Sequence, residues 1–252
     1  GFEKEEISVI MVVPNGTETE QEFLIRYRRL FGNLNRYAKK TDKFTDIIMD
    51  EDDAIAIATR SLISQHPLFK WSGSEMDSPR IKMAPGKNCS SREPYLCALE
   101  QLYAMNSILL KTRSRDNDGW FGQGKLQEFI RFRPTDEVIT QITGELSIYW
   151  DAILNLFPLL KEDDATVYRN HFAESDDTGD SSDNALFWTI TQDRFIDLAR
   201  RLLDHRQEDP DHPTESSVEN ALDVLQRIDW SLHSPPWRNI ALVQDPEDLE
   251  TW

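Results

Sequence analysis

Between Arg26 and Lys43 lie seven cations, Arg26, Arg28, Arg29, Arg36, Lys39, Lys40 and Lys43, with Asp42 the single acid among them. Asn33, Asn35, Tyr27 and Tyr37 are interleaved. Guanidinium and ammonium groups neutralise phosphates, asparagine bonds a phosphate oxygen or a base edge, and aromatic rings stack. The chemistry this suggests is anion binding: phosphate, nucleotide or nucleic-acid backbone. The candidate ligands are Arg28, Arg29, Asn33, Asn35, Arg36, Lys39, Lys40 and Lys43. The competing reading is a solvated helix face whose cations pair with acids elsewhere in the chain.

Other groups are weaker candidates. Asp50-Glu51-Asp52-Asp53 has carboxylates of the kind that hold Mg²⁺ beside phosphate, but such a run more often begins a helix. Asp116-Asn117-Asp118-Gly119 echoes half a calcium loop and lacks its twelfth-position glutamate, so a tight turn is expected. His205 and His212 sit among acids in a proline-containing linker with no defined ligand geometry. Cys89 and Cys97 have no second pair, which argues against zinc. No G-x-S-x-G, P-loop, Rossmann or H-E-x-x-H pattern occurs, so no motif marks an enzyme. Trp150, Trp188, Trp230 and Trp237 read as core or docking aromatics.

The elements that must position these residues are mostly helical. Thr17 to about Ala38 has acids at its start and an apolar stripe of Phe23, Tyr27, Leu30 and Leu34, with Gly32 a point of interruption. The acids at 50–53 lead into a small-residue helix from Ala54 to Ile63. Further helices are expected over Pro94–Leu110, Thr135–Leu160 (ended or kinked by Pro158), Ala185–Leu203 and Glu215–Ile228. Long loops are expected at 66–92, with an extended piece near Arg80–Met83, and at 161–184, which is acidic and serine-rich. A further loop is expected at 114–124. Ile7–Val13 reads as one buried strand. A lone strand needs partners, and the abrupt start at Gly1 and end at Trp252 lead to the expectation of a fragment.

Composition sets outer bounds. The chain has 252 residues, 39% hydrophobic, which suffices for a core. With 45 acidic against 28 basic residues the net charge is -17, which excludes a uniformly basic nucleic-acid binder but not a local basic patch. No apolar run is long enough to cross a bilayer. Two cysteines and no secretory signal point to a reduced, cytoplasmic protein.

Three segments carry a resemblance. Leu30-Phe31-Gly32-Asn33-Leu34-Asn35-Arg36-Tyr37-Ala38-Lys39-Lys40 resembles the F-x-x-L-N-R-x-A-K/P segment of DGQHR-domain proteins. Ile47–Arg60 resembles the stretch that follows it. Leu225-Gln226-Arg227-Ile228-Asp229-Trp230-Ser231 with Pro235-Pro236-Trp237 is similar to the family's I-D-W-S…P-x-W segment. The family includes DndB-like proteins of DNA phosphorothioation and DpdB-like proteins of deazaguanine DNA modification. The D-G-Q-H-R motif itself is absent, and its place would be just upstream of the strand at Ile7.

The resemblance implies an α+β fold, predominantly helical. Residues 1–65 would be the later part of a ParB/sulfiredoxin-like α/β domain, and 66–252 a helical domain with long loops at 66–92 and 161–184. It carries over Asn35 and Arg36 as site residues, while Asn33, Lys39 and Lys40 come from their chemistry. The implied role is a DNA-binding transcriptional regulator or accessory factor of a DNA-modification system, with enzyme activity left open and no cofactor expected. Its partners would be DNA and other modification proteins, with no membrane and homo-oligomerisation left open. The alternatives are a DpdB-like nucleotide hydrolase using ATP and Mg²⁺, whose activity would need the missing motif, and a non-catalytic helical interaction module.

Overall fold

The computed structural model describes residues 12–38, 41–71, 79–111, 128–169, 183–206, 212–232, 234 and 237. Its α-helices are α1 (Glu20–Ala38), α2 (Lys43–Met49), α3 (Ala54–Gln65), α4 (Leu99–Leu109), α5 (Asp136–Leu156), α6 (Thr189–Arg206) and α7 (Glu215–Leu222). Two short strands, β1 (Ile81–Lys82) and β2 (Cys97–Ala98), pair in parallel with Ile81 opposite Cys97 and Lys82 opposite Ala98. The fold is therefore predominantly helical with a minimal sheet.

Caps set the helix starts. Thr19 and Glu22 form a reciprocal pair at the head of α1: the Glu22 N–H donates to Thr19 Oγ1 and the Thr19 N–H to Glu22 Oε2. The helix thus begins after Thr19 rather than at the expected Thr17, and it runs through Gly32 without interruption. Asp53 caps α3 by accepting from the Ile55 and Ala56 N–H groups, which is the helix-start role expected of the acids at 50–53. Thr214 and Ser217 form a capping box on α7.

The core is one cluster in which α3 packs on α5 and α4, α4 on α6, and α5 and α6 on α7. Leu102, Ile142, Leu146, Ile153, Ala199, Leu203 and Leu222 are fully enclosed. Phe157 and Phe195 meet edge to face at 5.3 Å, and Trp230 closes on Phe195 at 5.4 Å. Trp237 stacks on Trp230 at 5.4 Å, so the Ile228–Trp237 segment docks by its tryptophans.

Buried polar groups stitch the cluster together. Asn106 donates to Thr59 Oγ1 (2.9 Å) and accepts from Trp150 Nε1 (2.8 Å), joining α3, α4 and α5. Arg80 donates to the Leu68 and Leu160 carbonyls, each at 3.0 Å, and also to that of Glu162. Arg169 donates to the carbonyls of Phe187 (2.6 Å), Glu93 (2.9 Å) and Leu96 (2.9 Å). These contacts satisfy carbonyls that no helix or sheet pairs.

Further expectations change. The helix expected from Pro94 starts at Leu99, because Cys97–Ala98 is drawn into pairing with β1. The stretch 161–184, expected to be solvated, has buried residues among those described: Arg169 fills the role above, and buried Asp183 accepts from Trp188 Nε1 at 3.0 Å. The irregular stretch from His66 contains a 3₁₀ turn at Pro67–Phe69, with Leu68 and Phe69 in the core. Ile7–Met11 of the expected strand lie outside the described residues, as do the loops at 114–124 and 170–182. Pro158 ends α5 as expected and opens a 3₁₀ turn.

Candidate anion-facing site on α1 and α2

The basic segment folds as the second half of α1 and the start of α2. At 100° per residue, Ile25, Arg28, Arg29 and Gly32 share one side of α1, and Phe23, Tyr27, Leu30, Phe31 and Leu34 the other. The first side faces the Asp50–Asp53 turn. Arg29 donates to Asp52 Oδ1 through Nε (3.0 Å) and Nη2 (2.7 Å), and Arg28 Nη1 lies 3.5 Å from Glu51 Oε1. Arg26 donates to Glu18 through Nε at 3.0 Å.

Glu51 is the hub of this junction. It is buried, yet three guanidiniums converge on it: Arg28, Arg60 Nη2 at 3.0 Å and Arg133 Nη1 at 3.6 Å. Arg60 also donates to the Ile47 and Asp50 carbonyls, and Arg133 to the Glu51 carbonyl. Burial pulls the Arg60 guanidinium below its ordinary pKa, with the Glu51 charge opposing. One carboxylate thus fixes arginines from α1, from α3 and from the approach to α5. Arg60 and Arg133 were not among the sequence candidates. Arg60 lies inside α3 and Arg133 just ahead of α5, where the local pattern speaks only for a helix, and their convergence is a tertiary fact.

On the other side of the junction, Tyr103 of α4 donates its hydroxyl to Asp53 Oδ2 at 2.7 Å. Lys43 Nζ stands 3.8 Å from the centre of the same ring. Burial raises the Asp53 carboxyl above the usual range, against the Tyr103 hydrogen bond and the Lys43 charge.

The candidates divide as follows. Arg28 and Arg29 lie side by side, paired to acids yet with nearly half of each side chain open to solvent. Asn33 and Lys43 are exposed. Asn35 and Arg36 lie in the last turn of α1, but their side chains lie outside the described residues, as do Lys39 and Lys40 altogether. The exposed edges of Arg28, Arg29 and Lys43 can receive an anion. The paired carboxylates fix the arginine stems and offset part of their charge, so this surface suits a few phosphate contacts.

Among the described residues no group of three or more histidine, cysteine, aspartate or glutamate side chains is placed to hold a metal ion. Cys89 and Cys97 are free and buried, and burial raises both thiols. Among the described residues no helix is long and apolar enough to cross a membrane.

No curated protein and no solved structure matches the chain. The model of one family, DndB, described as DNA-sulfur modification-associated, matches residues 1–247. That span takes in the basic segment, the acidic turn and the Ile228–Trp237 segment. The chain belongs to the DndB family, which associates it with DNA phosphorothioation.

Proposed function

We propose that this protein is a DNA-binding regulator or accessory factor of a phosphorothioation system, contacting the phosphate backbone through α1 and the start of α2. The observation that carries the reading is the pair of half-exposed guanidiniums, Arg28 and Arg29, fixed by the acidic turn in a chain of this family. Arg36, Lys39 and Lys40 continue the same basic run by sequence. Such contacts position a protein on a duplex without reading bases.

The test is fluorescence anisotropy with labelled duplex DNA at two salt concentrations, on the wild type and Arg36→Glu. The ion pairs that hold α1 to the acidic turn are made by Arg28 and Arg29, and the variant leaves both residues in place. The expected result is salt-sensitive binding, weakened more than tenfold by the reversal while the melting temperature is kept. Equal binding by both proteins would remove the proposal.

One observation favours a second reading, a helical interaction module. The apolar side of α1 points outward, with Leu24, Tyr27, Leu30, Phe31 and Leu34 all exposed. If this reading holds, wild type will co-sediment with other proteins of the modification system, and Leu30→Glu/Leu34→Glu will not.

A further inference from the structure

A groove of about 510 Å³ runs between α3 and α5, lined by Ile57 and Leu62 from one helix and Ile139 and Thr143 from the other. It lies in the size range of small-molecule sites. None of the DNA-facing candidates lines it.

The hydroxyls along its α5 wall have already spent their hydrogens. Thr140 donates to the Asp136 carbonyl (2.9 Å), Thr143 to the Ile139 carbonyl (2.8 Å) and Ser147 to Asp151 Oδ2 (3.3 Å). What they offer the groove is lone pairs. Asp151 adds a half-exposed carboxylate. His66 is buried, accepts the Leu68 N–H at Nδ1, and so carries its hydrogen on Nε2. That nitrogen lies 3.1 Å from Asp151 Oδ1. The carboxylate is thereby bracketed between His66 and Ser147. The last turn of α3, the negative end of its dipole, sits at the same place and carries no basic residue. No lysine or arginine is among the described lining residues.

Gly144 is an independent sign that the space is kept open. It sits in the interior of α5, where glycine costs roughly 1 kcal/mol relative to alanine. A methyl group built on it would meet nothing within 4 Å, so packing does not require a glycine there. Its absent side chain is what leaves the groove its width.

We propose that this groove binds an alkyl-ammonium or alkyl-guanidinium group, its charge on Asp151 and the threonine oxygens and its carbon stem along Ile57, Leu62 and Ile139. The cation comes either from a free amine of the polyamine type or from a lysine or arginine side chain of a protein partner.

Isothermal titration calorimetry of the full chain decides it, with agmatine and spermidine as free probes and a blocked Gly-Arg-Gly peptide as the side-chain probe. The expected result is saturable binding of at least one probe, weakened about tenfold or more by Asp151→Asn and abolished by Gly144→Leu. Leucine is a better helix former placed in open space, so that variant keeps the fold, which a thermal melt checks. Binding by the peptide alone would support a protein partner as the source, and binding by the free amines a small molecule. No heat from any probe, equal binding by glutamate, or binding unaltered in both variants would overturn the proposal.

Discussion

Replacing His66 by asparagine separates two roles that one side chain combines. Its Nδ1 caps the 3₁₀ turn at Pro67 by accepting the Leu68 N–H, and its ring packs on Phe69 at 5.3 Å. Burial holds the imidazole below its ordinary pKa, with the Asp151 carboxylate opposing. A histidine that protonates less readily folded than unfolded contributes stability that is complete above its unfolded pKa of 6.5 and is lost as pH falls through the folded value. The wild type should therefore lose melting temperature between pH 7 and pH 5, and His66→Asn, whose amide oxygen can take the same N–H, should show a shallower loss. Melts across that range check this, and parallel curves would exclude the role. Nothing in the sequence marked His66: it lies before a proline at the edge of a stretch without periodicity, and its partners come from the next turn and from α5. Asp53 was legible, because an acid before a small-residue run is a cap signal, but its bond to Tyr103 spans fifty positions and leaves no local trace.

At the level of elements, periodicity located the helices because each buries a stripe against a neighbour. The Val138–Phe157 stripe is enclosed largely as its spacing demands, while the helix expected to reach Ile228 ends at Leu222 and passes into a 3₁₀ turn over Asp223–Arg227. The short strands were harder. Only Arg80–Met83 read as extended, whereas Cys97–Ala98 looked like the first turn of a helix until its pairing with β1 claimed it. α1 shows a different limit. Its apolar stripe was correctly traced, but periodicity says which residues share a face and not where that face points. The helix is held by Arg28 and Arg29 on the opposite side, and the stripe looks outward. Polar substitution there should cost little: Leu30→Gln with Leu34→Gln is expected to change stability by less than about 0.5 kcal/mol, the usual range for surface sites. Leu102→Ala, in the fully enclosed seam of α4, should cost about 2–5 kcal/mol. Urea unfolding of the three proteins makes the comparison, and a large loss in the double variant would show that the stripe is covered within the chain.

For the molecule as a whole, a net charge of -17 acts on any DNA complex beyond the contacts themselves. Each phosphate neutralised by a lysine or arginine releases counterions, giving a slope of log affinity against log salt near −0.9 per contact. The proposed surface offers Arg28, Arg29, Arg36, Lys39, Lys40 and Lys43. Six contacts set a limit of about −5. Arg28 and Arg29 are already paired to Glu51 and Asp52, so DNA must compete with carboxylates whose attraction salt also screens. General repulsion between an acidic protein and DNA is screened as well, which favours binding as salt rises and opposes the loss of contacts. Both effects flatten the slope, so a value between about −1 and −4 is expected from anisotropy titrations over 50–200 mM salt. The Arg36→Glu variant should flatten it by about one more. A slope steeper than about −6 would require phosphate contacts outside this cluster and would move the DNA surface elsewhere on the chain.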